Sequence, residues 1–223
     1  MLKINPKYKY EKLTRIDGPS RLYATPDGSK VPSVTTILSS TADKTALIEW
    51  RKRVGEAEAQ RISTESAGLG TLVHKHVENF IEGIERPPGS TPIHVLARSM
   101  SDNIINNGLP RVTEVWGMEA SLYYPGLYAG TTDLVGLFEG VPAIMDHKTA
   151  KKMKKPEWME DYFIQTTAYA LAHNEVHGTD IKKGALFMAD REGKYETFVI
   201  EGAMFDQYSD KWLRRVEQYY KLN

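Results

Sequence analysis

Gly130-Thr131-Thr132-Asp133-Leu134-Val135-Gly136-Leu137-Phe138, followed by Glu139-Gly140-Val141-Pro142 and Ala143-Ile144-Met145-Asp146-His147-Lys148-Thr149, is the stretch on which the reading of this chain turns. Its first part alternates small or polar residues with apolar ones, the pattern of a half-buried strand. Residues 139–142 form a short turn, so the two runs read as a hairpin. On a strand, side chains at i and i+2 share a face: Asp146 and Lys148 point one way and His147 points the other, leaving its backbone carbonyl as its contribution to a site. The hairpin brings Asp133 beside Asp146 and Lys148. Two carboxylates and an ammonium facing one cleft are costly for stability alone, and they make sense when a hard divalent cation sits between the acids.

The period of two extends back to Val112, predicting three antiparallel strands over 112–149 with a turn at Pro125-Gly126. Glu119 falls one strand before Asp133. Glu114 falls at the other parity and is the poorer ligand candidate. Upstream, residues 8–38 read as short strands around the Pro26-Asp27-Gly28 turn. Helical spacing predicts helices over Thr41–Ile62, Ser66–Ile84 (ended by Gly83 and Pro87-Pro88) and Ile93–Asn107. Downstream, Pro156 opens a helix through Glu175, Lys183–Ile200 is a hairpin around Arg191–Lys194, and Phe205–Tyr220 is a last helix. The expected architecture is α/β (α+β), a central mixed, hairpin-rich sheet flanked by helices, with residues 1–223 as a single domain: about 1–110 an N-terminal hairpin and helices, about 111–223 the core.

With 41% hydrophobic residues in 223, the chain can bury one substantial core. It carries 29 basic and 29 acidic residues, so any electropositive groove has to be local. There is no cysteine, which excludes disulfides, iron–sulfur clusters and thiolate zinc sites. No apolar run approaches the roughly 18–20 residues needed to span a bilayer. The first ten residues lack the apolar stretch of a signal peptide, and Glu11 and Asp17 do not suit a transit peptide. A soluble, cytoplasmic protein of a bacterial or phage-infected cell is the expectation.

A lone Asp-x-Lys is common by chance. Here it stands in an ordered set: Gly70-Thr-Leu-Val-His74, Glu119, Asp133, Asp146-x-Lys148, then Gln165 and Tyr169, which share one helix face. With Val31-Pro-Ser-Val-Thr-Thr-Ile-Leu38 and Trp50-Arg-Lys-Arg53, this order resembles the RecB-like exonuclease branch of the PD-(D/E)XK (restriction-endonuclease-like) nucleases, which includes phage exonucleases and the mitochondrial genome maintenance exonucleases. The resemblance spans most of the chain. It implies Asp133 and Asp146 as metal ligands for one or two Mg²⁺ or Mn²⁺ ions, Lys148 as the catalytic lysine, His74 and Glu119 as auxiliary metal-site groups, and Gln165 and Tyr169 as motif residues near the substrate. The second acid of the motif is aspartate here, and Thr132 stands where many members have proline.

Each residue also has a plainer reading. His74 alone is an ordinary helix histidine, His76 two residues on points elsewhere and is structural, and His147 packs away from the site. Lys148, Lys151, Lys152, Lys154 and Lys155 form a charge run that is usually a solvated loop; beside a phosphodiesterase site it is also a candidate backbone clamp for DNA. Arg51 and Arg53, around Lys52, form a second basic cluster. Trp50 and Tyr128 are candidate stacking platforms, whereas Trp212 and Phe80 belong to apolar helix faces and to the core. The expected function is a metal-dependent DNA exonuclease acting on single strands or strand ends in phage-type replication, recombination or degradation. The rivals are a flap- or junction-selective endonuclease of the same superfamily and a non-catalytic nucleic-acid-binding module.

Overall fold

A computed structural model describes residues 2–18 and 20–222; Met1, Pro19 and Asn223 lie outside the described residues. The N-terminal part is a small antiparallel sheet of β1 (Thr14–Ile16), β2 (Leu22–Ala24) and β3 (Lys30–Pro32). Its second turn is built as the sequence suggested. Asp27 accepts from the Thr25 hydroxyl at 2.6 Å and from the Ser29 amide at 3.1 Å, and Gly28 takes φ +84°.

The expected strand character ends sooner than residue 38. Ser33 accepts from the Thr36 amide at 2.9 Å and opens helix α1 (Val34–Thr41), whose Val34 and Ile37 are buried. The β-branched Val-Thr-Thr-Ile run is helical because that cap and its burial outweigh a weak propensity.

The next two helices are divided differently from the expectation as well. They are α2 (Thr45–Val54) and α3 (Glu56–Glu82), broken at Gly55, whose φ of +87° disfavours any other residue. The polar segment Ser63–Ser66, read as the break, is absorbed into α3: Ser63 donates to the Ala59 carbonyl at 2.8 Å and the helix continues. None of α2 is buried, and Leu47 and Ile48 are about half exposed, so its apolar spacing does not mark a core face. Phe80, expected in the core, is 44% exposed.

Helix α4 (Pro92–Asn107) leads through a 3₁₀ turn at Leu109–Arg111 into β4 (Val112–Tyr124), β5 (Tyr128–Phe138) and β6 (Val141–Ala150). Glu139 and Gly140 both have positive φ, +53° and +79°, the type I′ geometry that suits the twist of a hairpin. After β6 come a 3₁₀ turn at Pro156–Trp158, helix α5 (Glu160–His177), the hairpin β7 (Lys183–Asp190) and β8 (Tyr195–Glu201), and α6 (Ala203–Leu222). Proline opens the short 3₁₀ turn, and the α-helix proper starts after it.

The main sheet runs β4-β5-β6-β7-β8. All pairs are antiparallel except β6–β7, which is parallel and bridged by α5. Helices cover both faces. Val135, Ile144, Leu186 and Met188 pack with α1, α5 and α6, while Leu134, Met145, Ala185 and Phe187 pack with α3 and α4. Burial of both faces explains why β7 has no exposed residue. The α/β architecture with a mixed, hairpin-rich sheet agrees with the sequence. Among the described residues, no helix is long and apolar enough to cross a membrane.

Candidate active site

The β5–β6 ladder ends at Leu134↔Met145. One step further, Asp133 and Asp146 would face each other, but the strands no longer pair there. Asp133 therefore reaches across the gap and accepts from the backbone amide of His147 at 2.5 Å. Its other oxygen meets His74 Nδ1, from α3, at 3.1 Å. Gly70 of α3 faces Thr149 of β6, where a Cβ would sit at an ordinary contact distance of 3.7 Å from Oγ1.

His147 keeps the expected parity, opposite Asp146 and Lys148 on β6, but the site reaches the face it points to. Its ring is buried and stacks on Phe187, yet Nδ1 lies 3.4 Å from Asp133 Oδ2 and the ring meets His74 edge-on. Beyond the end of the ladder the carboxylate leaves its own strand to find the imidazole. Nitrogen and oxygen atoms of His74, Asp133 and His147 all lie within 4.8 Å of one another.

On the other side of β6, Lys148 Nζ ion-pairs with Asp146 Oδ2 and donates to Gln165 Oε1 at 3.0 Å. Gln165 in turn donates to the Tyr169 hydroxyl at 3.1 Å, as their spacing on α5 allows. Tyr169 is seated against Gly130, where a Cβ would come within 2.7 Å of its ring. Tyr162, one turn before, lies 5.0 Å beneath the Lys148 ammonium.

Burial and charge set the protonation states. Burial opposes ionisation of Asp133, but His74, His147 and Lys148 outweigh it and hold the carboxyl well below the usual range. Asp146 goes the other way: burial and the neighbouring Asp133 charge push it up to about 7, against the pull of Lys148. Desolvation opposes the charge on the half-buried Lys148, yet Asp146 and Asp133 keep it protonated. His74 is raised to about 9, since Asp133 overcomes burial, while burial lowers His147 to about 4. Asp146 Oδ2 is held by the Lys148 ion pair, whereas His147 Nε2 is buried without a hydrogen-bond partner. That unpaired nitrogen and the mixed carboxylate–imidazole set of His74, Asp133 and His147 suit a divalent cation.

Glu119 stands opposite Asp133 in the β4–β5 register. Its φ of +45° is a left-handed conformation that a glutamate rarely adopts. Partial burial and Asp133 raise its carboxyl to about 7. With His74, Glu78, Asp133 and His147 it lines a cavity of about 10 Å³, room for one water-sized centre. That cavity adjoins a wider groove of about 410 Å³ along Gly70, His74, Lys75 and Glu78.

No family model matches this chain, and no curated protein matches it. Solved structures do. A crystal structure described as a "Putative exonuclease" from Eubacterium rectale superposes with a TM-score of 0.51 at 15% identity, over 69% of this chain and 64% of that one. The chain thus spans slightly under two thirds of that protein's length, and at this identity the likeness establishes a shared fold. The protein SSO0001 aligns at 13% identity over 82% of this chain and 75% of its own, with a TM-score of 0.42, too low to carry an argument.

The other expected residues fall outside this cluster. Tyr128 is 1% exposed, edge-on to Trp212, with its hydroxyl on the Ala168 carbonyl; it is a core residue and not a stacking platform. Glu114 anchors the N-terminal segment through Lys3 and Asn5 and also accepts from the indole of Trp116 on its own strand. Trp50 is half-buried on α2, Arg51 is paired with Glu56, and Arg53 is exposed. Lys151 and Lys155 are exposed, Lys152 lies 3.5 Å from Glu192, and Lys154 caps the Tyr162 ring at 4.3 Å.

Two residues escaped the sequence reading. Glu78, four positions after His74, could have been found from that spacing. Asp190, completely buried, accepts from the amides of Met153, Glu192 and Lys194 and so pins the lysine-rich loop to the β7–β8 turn. Nothing in its local sequence marks that role.

Proposed function

We propose that this chain is a metal-dependent DNA exonuclease of the RecB-like PD-(D/E)XK type, hydrolysing phosphodiester bonds at strand ends. The observation that carries the reading is that β6 presents two contact sets on neighbouring residues, His74–Asp133–His147 on one side and Asp146–Lys148–Gln165–Tyr169 on the other. An acid–imidazole pocket thus lies beside a fixed ammonium group.

A phosphodiester is anionic and repels hydroxide, so its hydrolysis needs charge neutralisation and a held nucleophile. The residues that would hold Mg²⁺ or Mn²⁺ are Asp133, Asp146 and His74, with His147 contributing its carbonyl or its ring. Such an ion, when bound, polarises a phosphate oxygen and acidifies its water. Asp133 remains ionised for that task. Lys148, held protonated, serves as a cation stabilising charge on the phosphate and not as a base. Gln165 fixes the lysine through its carbonyl oxygen, and its amide leaves the Tyr169 O–H free to donate. Glu119, poised near neutrality at the pocket rim, can hold or release a proton there. Lys151, Lys152, Lys154 and Lys155 provide phosphate contacts beyond the site, and the substrate is DNA with free ends.

The test is digestion of end-labelled single-stranded DNA beside a covalently closed circle, with Mg²⁺ or Mn²⁺ and with chelator. Metal-dependent shortening of the linear strand and an intact circle are expected. Cutting of the circle would make the protein an endonuclease, and binding without turnover would make it a recognition module.

A further inference from the structure

Trp158 is 64% exposed, a large aromatic surface left in water at the tip of the loop between β6 and α5. An isolated surface aromatic is commonplace. This one is built in. Pro156 starts its 3₁₀ turn, the Trp158 amide donates to the Lys155 carbonyl at 2.9 Å, and the following Met159 is completely buried. The base of the loop is tied down by the Met153 amide on Asp190 at 2.9 Å and by the Arg191 amide on the Ala150 carbonyl at 3.1 Å. The indole is thus presented by a fixed turn rather than a floppy tip.

Its surroundings are positive. The Lys155 ammonium lies 5.7 Å from the Trp158 ring. Of the neighbouring acids, Glu160 pairs with Lys211 and Asp161 lies 3.6 Å from Arg215, while Glu157 is exposed and, among the described residues, makes no ion pair, so one acid stands against Lys151, Lys154 and Lys155. Among the described residues, Lys151, Lys154 and Lys155 have no carboxylate partner. Lys154 and Lys148 share the Tyr162 ring, at 4.3 and 5.0 Å, so the loop's cations run directly into the candidate site. A flat, exposed π-face beside a track of ammonium groups matches one chemistry, that of an unpaired base with its phosphates.

We propose that Trp158, with Lys154 and Lys155, is a stacking platform for an unpaired base of a single DNA strand leading into the Lys148 site, which makes the protein select single-stranded ends. Base stacking displaces Lys155 from the ring and frees it for a phosphate. Lys154 stays on Tyr162 and contacts the next phosphate towards Lys148. A duplex keeps its bases stacked on each other and gains nothing from the indole. This inference rests on the nuclease reading for its substrate but is tested apart from it.

Equilibrium binding of oligo(dT) and of a blunt duplex of equal length, measured by anisotropy in chelator so that nothing is cleaved, separates the two. Trp158→Ala should weaken oligo(dT) binding about tenfold or more and leave duplex binding unchanged, while Trp158→Tyr retains most of it. Oligo(dT) should also quench tryptophan emission in the wild type and not in Trp158→Ala. Equal oligo(dT) affinity for wild type and Trp158→Ala, or an equal loss on duplex, overturns the platform. If the binding loss appears in a protein that cleaves nothing with Mg²⁺ or Mn²⁺, the platform stands and the nuclease reading falls. If the protein cleaves linear strands and Trp158→Ala does so with an unchanged KM, the platform falls and the nuclease reading stands.

Discussion

The two sides of strand β6 are finished to different degrees. Towards α5, Asp146, Lys148, Gln165 and Tyr169 form a relay of successive polar contacts that ends on the Tyr169 hydroxyl. Towards α3, the cluster of His74, Asp133 and His147 leaves a buried imidazole nitrogen unpaired. A satisfied network positions, whereas an unsatisfied buried set waits for something that completes it. Under the proposed function, that contrast would give positioning to the α5 side and cation binding to the α3 side.

The largest effect expected from breaking the contrast falls on Lys148, the cation at the head of the α5 side. Lys148→Ala should lower turnover on end-labelled DNA by roughly 10³-fold or more, with an unchanged circular dichroism spectrum. Undiminished cleavage would reject its role. Next come the variants that tell the sides apart. His74→Ala and His147→Ala should each weaken Mn²⁺ binding by about tenfold or more in calorimetry, whereas Gln165→Ala should leave metal affinity alone and slow cleavage. A loss of metal affinity in Gln165→Ala would dissolve the distinction.

A subtler effect concerns pH in the chelated protein. Asp146 is pushed up to about 7 by burial and by Asp133, so folding tightens its hold on a proton. It therefore stabilises the fold below the ordinary carboxylate pKa, and that contribution is lost as pH rises from about 4 towards 7. Across this interval the wild-type Tm should fall relative to Asp146→Asn, by several degrees, and added Mn²⁺ should abolish the difference. Parallel Tm profiles for the two proteins would show that Asp146 is not perturbed.

The smallest effect is at Glu119. Its left-handed backbone costs about 1 kcal/mol, so Glu119→Gly should raise stability by that order while reducing activity. Urea unfolding measures the first and the end-labelled assay the second. A destabilised Glu119→Gly would argue that the glutamate holds the strand rather than serving the pocket.

Much of the fold was legible because long elements repeat their own period. The hairpins between 112 and 149 and between 183 and 200, helices α4 to α6 and the C-terminal half of α3 announce themselves by alternation or by helical spacing and by glycine at Gly83 and Gly178. The errors have separate causes. Ser63–Ser66 carries capping residues but no cap, since the chain had already broken at Gly55. Val34–Leu38 is β-branched, yet Ser33 captures the Thr36 amide and burial completes the helix. Tyr128 and Phe80 exchanged the burial expected of them because residue type does not say which neighbour arrives to cover a ring.

The chain's order of His74, Glu119, Asp133, Asp146, Lys148, Gln165 and Tyr169 was determined by sequence alone, and so was the pairing of strands that brings the acids near one another. Local spacing suffices for that, because strand and helix periods are properties of the backbone. Tertiary structure alone decided that Asp133 turns into the gap where the β5–β6 ladder stops, that the His147 ring joins it, and that Asp190 holds the lysine loop with Trp158 at its tip. Those contacts join residues far apart in the chain or depend on where a ladder ends, and no periodicity encodes either.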